Sequence, residues 1–385
     1  MYLTYNINKT MHVCYFGTYR TNYSRNRILI EGLRQNGVVV TECNVPLWQG
    51  VEDRVQAASG GWIKPIFFWR IIVTYLRLII KYLSINKYDI LIVGYPGQMD
   101  IFIARFLSWL YRRPLVWDVL MSIYLVTIER KLNQKSPITA SFLHLIEKLG
   151  LRLPDLLIIE GEEYARWLCN EYQISISRFR YVPLGTNHKE FPYLGTSPAL
   201  DGRFRVVYFG SFLRSHGLDL ILESASILKT ERDISFEFIG DGPERETIMK
   251  QAQYHGLKQI SFPGFLSRKE FFEHLTQADL CLGVFGNTLH SRITVQNKIY
   301  EALIMGKPLL TGDSDALRQI FEPGKHLYVC ERTPEAIAQS ILYLRDHYDE
   351  RIALAKQGRE FVIQHYTIEV LGSLFLEQIE PLLRR

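Results

Sequence analysis

Two α/β domains, each built on a doubly wound and largely parallel sheet, are what the sequence predicts, and three observations carry the prediction. Apolar runs of strand length alternate with helical patterns from end to end. The runs are rich in Val, Ile and Leu without strict polar alternation, as strands covered on both faces require. A polar stretch bearing Pro and Gly, NHKEFPYLGTSPALDGR at 187–203, separates two such series. A chain of 385 residues is long enough for two domains with separate cores. The reading is a Rossmann-like domain over 1–186, a linker at 187–203, a second Rossmann-like domain over 204–360, and a C-terminal helix, 361–385, returning to the first. Two such domains are expected to face a cleft, with ligands outside the carboxyl ends of the strands.

In the first half the strands are HVCYFG (12–17), VVVTECNV (38–45), DILIVGYP (89–96), PLVWD (114–118), DLLIIE (155–160) and RYVPLG (180–185). Helical patterns fall between them at 25–35, 66–83, 101–111, 141–151 and 162–172, with Ser24 placed to cap the first. After the linker come RVVYFGSF, a helix at 218–228, ISFEFIGDG, a helix at 244–254, ISFPGFL and a helix at 269–278. DLCLGVFG, a helix at 297–305, PLLTGD and HLYVC follow, with helices from 334 to the end. Strands alternating with helices of about ten residues make βαβ units.

Composition narrows the classes further. With 47% hydrophobic and 22% charged residues the chain is not wholly disordered. A formal charge of +5 is too mild to demand a nucleic-acid partner, and none is expected. That average conceals an asymmetry: residues 1–190 hold 23 Lys/Arg against 15 Asp/Glu, the remainder 22 against 25. Five cysteines, an odd number with no C-x-x-C pair, indicate a reducing compartment and neither a disulfide framework nor a zinc site. Cys14 and Cys281 read as small core residues. The segment MYLTYNINKTMHVCYFGTYR lacks the apolar core of a signal peptide, which makes the protein cytoplasmic by expectation.

Candidate ligand contacts are sought in the loops that follow strands. Gly17 ends the first strand ahead of a helix, where a glycine permits either a tight turn or close approach to an anion. No G-x-G-x-x-G fingerprint accompanies it, which argues against a dinucleotide cofactor. The second series opens with Gly210-Ser211-Phe212, then Arg214, His216 and Gly217, and Gly240-Asp241-Gly242 ends its next strand. Each is again either turn chemistry or backbone facing a ligand. The richest stretch is GVFGNTLHSRITVQNKIYEALIMGKPLLTGD, 283–313. Asn297 and Glu301 share one helix face, Lys298 sits beside them at the helix start, and His290 and Arg292 stand in the preceding loop. Cations and free N–H groups at a helix start suit a diphosphate; a carboxylate one turn on can accept from the hydroxyls of a ribose. The alternative is an exposed Lys298–Glu301 pair worth about a few tenths of a kcal/mol. The D-x-D string Asp313-Ser314-Asp315 reads as a helix cap rather than a metal site.

FGSF…HG, FEFIGDGPE, FPGF, LCLGVFG and NKIYEALIMGKPLLTG, in that order, closely resemble the C-terminal half of family-4 retaining glycosyltransferases of the GT-B fold, over 200–345. VPLGTNHKEF (182–191) is similar to the family's domain-junction motif, with Asn187 where Asp is commoner. The resemblance implies a nucleotide-sugar donor, retention of anomeric configuration, and no cofactor or metal. Glu301 matches the second glutamate of the family's E-x7-E motif, which holds the donor ribose; the first falls at Ile293. The family's phosphate-binding Arg and Lys fall at Ser211 and His216, so Lys298, Arg292, His216 and the helix start are left to take the diphosphate. Phe265 and Leu266 fall where the family's backbone holds the base. Asp118, ending PLVWD, is either a polar contact for an acceptor in the first domain or a buried helix cap.

Residues 63–83, IKPIFFWRIIVTYLRLIIKYL, gather Arg70, Thr74, Arg77 and Lys81 into an arc of about 60° and leave almost everything else apolar. That apolar sector is wider than packing on one sheet needs, while the charges within it speak against a membrane span. IFIARFLSWLYRRPLVW, 101–117, adds Arg105, Arg112 and Arg113. Apolar bulk bordered by cations suits an anionic membrane surface; the alternative is a core helix with a solvated basic stripe, covered by a partner subunit. The function expected is a hexosyltransferase that moves a sugar from a nucleotide diphosphate-sugar to a lipid-linked or polysaccharide acceptor in cell-surface glycan assembly, peripheral at the inner face of the membrane. A sugar-nucleotide 2-epimerase of the same fold is one alternative. A non-catalytic subunit, suggested by Ile293, Ser211 and His216, is the other.

Overall fold

The computed structural model describes residues 10–47, 65–85, 87–195 and 202–384. The chain divides into two compact units, Met1–Pro183 with Ile368–Arg385, and Leu184–Thr367. Leu184 already packs against the second unit's core, and the Thr186 N–H donates to Tyr366 O, which sets the boundary ahead of 186. Residue 361 lies inside the helix Tyr348–His365, so the return to the first unit begins only at Ile368. Of the stretch 187–203, residues 196–201 lie outside the described residues, as do 63 and 64 of the apolar segment.

The first unit is a six-stranded parallel sheet in the order β2-β1-β3-β4-β5-β6. Its strands are β1 (His12–Gly17), β2 (Val39–Asn44), β3 (Ile90–Val93), β4 (Leu115–Asp118), β5 (Leu156–Ile159) and β6 (Phe179–Tyr181). Alternation along them divides the core. Val13, Tyr15, Ile90, Ile92, Val116 and Ile158 join a cluster with Leu29 and Leu33 of the helix Ser24–Gln35 and Phe375 of the helix Ile368–Ile379. Phe16, pointing the other way, meets Tyr82 of the helix Pro65–Leu83 edge to face at 5.9 Å. The helices Ser24–Gln35 and Ile368–Ile379 cross at Gly32 and Gly372, where a Cβ on Gly372 would come within 2.2 Å of Gly32 backbone. Two glycines bring these backbones together, and that crossing ties the chain's end to the first unit.

Ser24 is the first residue of its helix rather than its cap; Tyr23 holds the cap position and makes no side-chain hydrogen bond there. A different helix, Ile123–Glu129, does have a serine cap: Ser122 accepts from the Leu125 N–H at its start. That helix and Leu132–Lys135 lie where the sequence shows no clear period, and both are short.

The second unit is also parallel, ordered β12-β11-β10-β7-β8-β9. It contains β7 (Phe204–Phe209), β8 (Ile234–Ile239), β9 (Ile260–Gly264), β10 (Leu280–Leu282), β11 (Leu309–Gly312) and β12 (Tyr328–Cys330). Val206, Tyr208, Phe236 and Phe238 pack on one face with the helices Leu218–Ile227 and Pro334–Asp346. Val207, Phe209 and Cys281 pack on the other with Ile299 and Leu303 of the helix Asn297–Ile304.

Asp118, the last residue of β4, is fully buried with Arg25 of the first helix. Its carboxylate accepts from Arg25 Nε at 3.0 Å and Nη2 at 2.8 Å, while Arg25 Nη1 donates to Val182 O and Pro183 O at 2.8 Å each. The pair joins the first helix, β4 and the end of β6. Removing one partner leaves the other charge buried and uncompensated. Asp118→Ala should lower unfolding stability by about 3–5 kcal/mol in urea titrations, with much of the loss recovered in Arg25→Met/Asp118→Leu. A single-mutant loss below about 1 kcal/mol would contradict this role for the pair.

Candidate functional site

The strand order of the second unit turns round between β7 and β10. Segments leaving such neighbouring strands diverge, and open α/β sheets take ligands at that point, beyond the carboxyl ends. Lys298, His216, Gly210 and the Ser211 carbonyl come together here, with Glu301 one helical turn along.

Lys298, second in the helix Asn297–Ile304, is only 6% exposed. Its ammonium lies 3.7 Å from the centre of the Tyr208 ring and 3.3 Å from His216 Nδ1. A Cβ on Gly210 would approach it to 3.1 Å, and φ there is +124°, a conformation open to glycine. The small residue after β7 therefore leaves room for the lysine head. Tyr208 donates its hydroxyl to Ser211 O at 2.7 Å and lies 2.7 Å from His216 Nδ1, which is itself 2.8 Å from Ser211 O. Burial, and next the Lys298 charge, hold the His216 imidazole well below its usual range. Burial does the same to the Lys298 ammonium, against the opposing pull of Glu301. Lys298 is thus not half of an exposed pair; it turns toward an aromatic ring and an imidazole. A niche of this kind disfavours a lone cation and would favour it once an anion arrived.

Glu301, one turn further along, is half-buried. Burial pushes its carboxyl up to about 7, with Lys298 pulling it down and Glu190 adding to the rise. Asn297 stands half-buried at the first helical position, after Gln296, whose side chain makes no capping bond. His290 and Arg292 sit in a short helix, Leu289–Ile293, rather than in a loop, because Thr288 caps it by accepting from the Ser291 N–H. Arg292 donates to Asn287 Oδ1 at 3.1 Å, and His290 lies near enough to weigh on the His216 charge.

Arg332 is absent from the sequence-based candidates. Its guanidinium donates to Gly286 O, to Ser291 Oγ and O at 3.2 Å each, and to Asp313 O at 2.9 Å. One side chain thereby fastens the segment leaving β10 to the end of β11. Burial, with Arg292 second, lowers its pKa to about 10. Its place just past β12 is the signal that could have found it; Tyr208 carried no such signal, being one more aromatic in a core strand.

Other expected residues sit apart from this cluster. Ser211 and Arg214 are exposed, and Ser211 joins through its carbonyl alone. Phe265, beyond β9, is 89% exposed, while Leu266 packs partly against the core. A Cβ on Gly240 would lie 2.1 Å from Gly210 O, so this glycine serves the packing of two loops. Gly17 belongs to the first unit, where a Cβ would lie 2.6 Å from Asp100 Oδ2. That carboxylate accepts from the Thr18 N–H and the Tyr75 hydroxyl, each at 2.7 Å. Asp118, the acceptor candidate, is instead occupied by Arg25 in the core. Asp313 pairs with Arg318, and Ser314 caps the next helix by accepting from the Leu317 N–H. Among the described residues no group of three His, Cys, Asp or Glu is arranged to hold a metal.

Residues 203–347 match the family model described as Glycosyl transferases group 1. No curated protein matches the sequence. Solved structures with the same architecture include sucrose-phosphate synthase from Thermosynechococcus elongatus, at a TM-score of 0.70 and 16% identity over 98% of this chain and 100% of that one. Anabaena HepE in complex with UDP-glucose aligns at 0.67 and 13% identity, over 97% and 99% of the two chains. A glycosyltransferase from Rickettsia africae aligns at 0.66 and 13%, over 99% and 100%. At these identities the likeness speaks for the fold. The chain has the GT-B fold of two Rossmann-like domains, and its second domain carries the match to glycosyl transferases group 1.

Proposed function

We propose that this protein is a retaining glycosyltransferase of the hexosyl type. It would transfer a sugar from a nucleotide diphosphate-sugar to a lipid-linked or polysaccharide acceptor in the assembly of cell-surface glycans. The observation that carries the reading is the buried Lys298 ammonium, held against Tyr208 and His216 where the strand order of the second sheet turns round. The group 1 match covers the same residues, and HepE, a neighbour in fold, was solved with UDP-glucose.

In this scheme the diphosphate lies against Lys298 and the start of its helix, with Arg292 nearby. As the anomeric C–O bond breaks, its electron pair passes to the diphosphate, whose negative charge grows. Cations and N–H groups fixed there are worth more in the transition state than in the ground state, which is what accelerates a reaction. The acceptor oxygen then bonds to the anomeric carbon and gives up its proton to the departing diphosphate. His216, neutral and bonded through Nδ1, presents its other ring nitrogen as a hydrogen-bond partner. Glu301 accepts from the ribose hydroxyls. Charge neutralisation falls to the chain's own groups, so the scheme calls for no cofactor or metal.

Donor binding tests this directly. A thermal-shift screen of UDP, GDP, ADP and TDP sugars should show one base stabilising the protein, by about 2.7 kcal/mol at a hundredfold excess over Kd. Lys298→Met, which keeps the packing, and Glu301→Gln should each weaken that donor about tenfold or more in calorimetry. Unchanged affinity in both would refute the site, and binding without turnover on any acceptor would favour a non-catalytic subunit.

The pH profile follows from the two displaced groups. A diphosphate favours the charged form of Lys298, so affinity falls as rising pH discharges the free ammonium, whose pKa is already low. Glu301 must be ionised to accept from both hydroxyls, so affinity also falls as pH drops below about 7. Titrations between about pH 5.5 and 9 should give a bell, with the acid limb missing in Glu301→Gln. A flat profile in the unmodified protein would contradict these assignments.

A further inference from the structure

We infer that the first unit docks on an anionic bilayer through one face shared by the helices Pro65–Leu83 and Asp100–Tyr111, apolar at its centre and basic at its rim. The helices touch through two side-chain contacts. Tyr75, midway along the first, donates its hydroxyl to Asp100 Oδ1 at the start of the second at 2.7 Å. Towards their ends the Tyr82 and Tyr111 rings meet edge to face at 5.6 Å.

The polarity of the first helix is inverted relative to one that packs on a sheet by its apolar stripe. Thr74, Leu78 and Tyr82, spaced four apart, are the residues it buries. Ile66, Trp69, Leu76, Ile80 and Leu83 fall within an outward arc of about 100°, with Ile66 80%, Trp69 66% and Ile80 68% exposed. The second helix adds Phe106, Trp109 and Leu110, all more than half exposed. This is more contiguous apolar surface than single scattered side chains would make.

Charge selects the occupant. Arg77 and Lys81 border the apolar arc on the side away from the second helix, and Arg112 follows that helix; all three are exposed. Lys81 also donates to Asn44 O at 3.2 Å, and Arg113 lies 4.0 Å from Asp89. Residues 65–83 contain no Asp or Glu, and Asp100 is buried. Arg105 takes no part, since it is buried and paired with Asp155 at 2.8 Å. A second copy meeting this face about a two-fold axis would set cations against cations. Anionic headgroups would neutralise them while acyl chains took up the apolar centre. Among the described residues no helix is long and apolar enough to cross a membrane, so the contact is interfacial. The surface holds whichever donor the second unit takes.

Flotation of the full chain with vesicles tests it. Phosphatidylcholine vesicles containing phosphatidylglycerol should carry the protein up the gradient, and pure phosphatidylcholine much less, with recovery falling as salt is added. Partition onto the anionic vesicles should drop about tenfold or more in Trp69→Ser/Trp109→Ser, while thermal unfolding stays as in the parent because both positions are exposed. Brominated acyl chains should quench tryptophan emission in the parent and much less in that variant. Absence from anionic vesicles would overturn the proposal. So would equal recovery of the variant, or a concentration-dependent dimer that the two substitutions abolish.

Discussion

A parallel sheet covered by helices on both faces leaves polar chemistry little room except at the ends of its strands, and both units obey that constraint. Every strand pairing in each sheet is parallel. Main-chain groups inside the sheets are committed to the ladders, and side chains alternate into two apolar layers. Two buried charges lie where strands stop, Asp118 as the last residue of β4 and Lys298 over the end of β7, while Asp279 and Lys307 are buried at the opposite ends, ahead of β10 and β11. The fold thus decides where function can lie before any particular residue does.

Two of the buried cations, Arg25 and Lys298, differ in how fully their charge is met. Arg25 is complete, with a carboxylate on one side of its guanidinium and two carbonyls on the other. Lys298 has no such set: its ammonium faces a ring and an imidazole nitrogen in place of a carboxylate. A charge kept in such surroundings is disfavoured until it is paired, so the surroundings persist only because the rest of the domain is stable enough to hold them. Arg332 supplies part of that rigidity through four oxygen acceptors on two segments. The energy that keeps Lys298 displaced comes from hydrophobic layers that it scarcely touches.

Exposure is used in an equally uneven way. In the second unit large apolar side chains are mostly inward, whereas two neighbouring helices of the first unit present theirs outward. The basic excess of residues 1–190 divides accordingly. Arg25 and Arg105 are buried structural cations, while Arg77, Lys81 and Arg112 stand at the rim of the apolar face. Net charge alone does not distinguish a cation that holds strands together from one that waits at a surface.

The central strands of both sheets were legible because a strand buried on both faces is a short, mostly apolar run. The edge strands β2, β6, β9 and β12 are only partly buried and were legible through their place in the alternation, β6 lying at Phe179–Tyr181 rather than 180–185. The main helices were legible through their period, and the short ones, Ile123–Glu129, Leu132–Lys135 and Leu289–Ile293, were not, because so few residues hold no period to detect. Lys298, Glu301 and His216 were legible as residue types at strand ends. What surrounds them was not. Tyr208 and Arg332 lie far from Lys298 in the chain, and only folding sets the ring beneath the ammonium and the guanidinium across two loops. Thr74 turned inward although its helical arc grouped it with cations, because sequence period fixes which residues share a face and not which face meets the sheet. Sequence by itself determined the fold class and the kinds of groups available. Tertiary structure decided their partners, since pairing and burial depend on residues that chain order keeps apart.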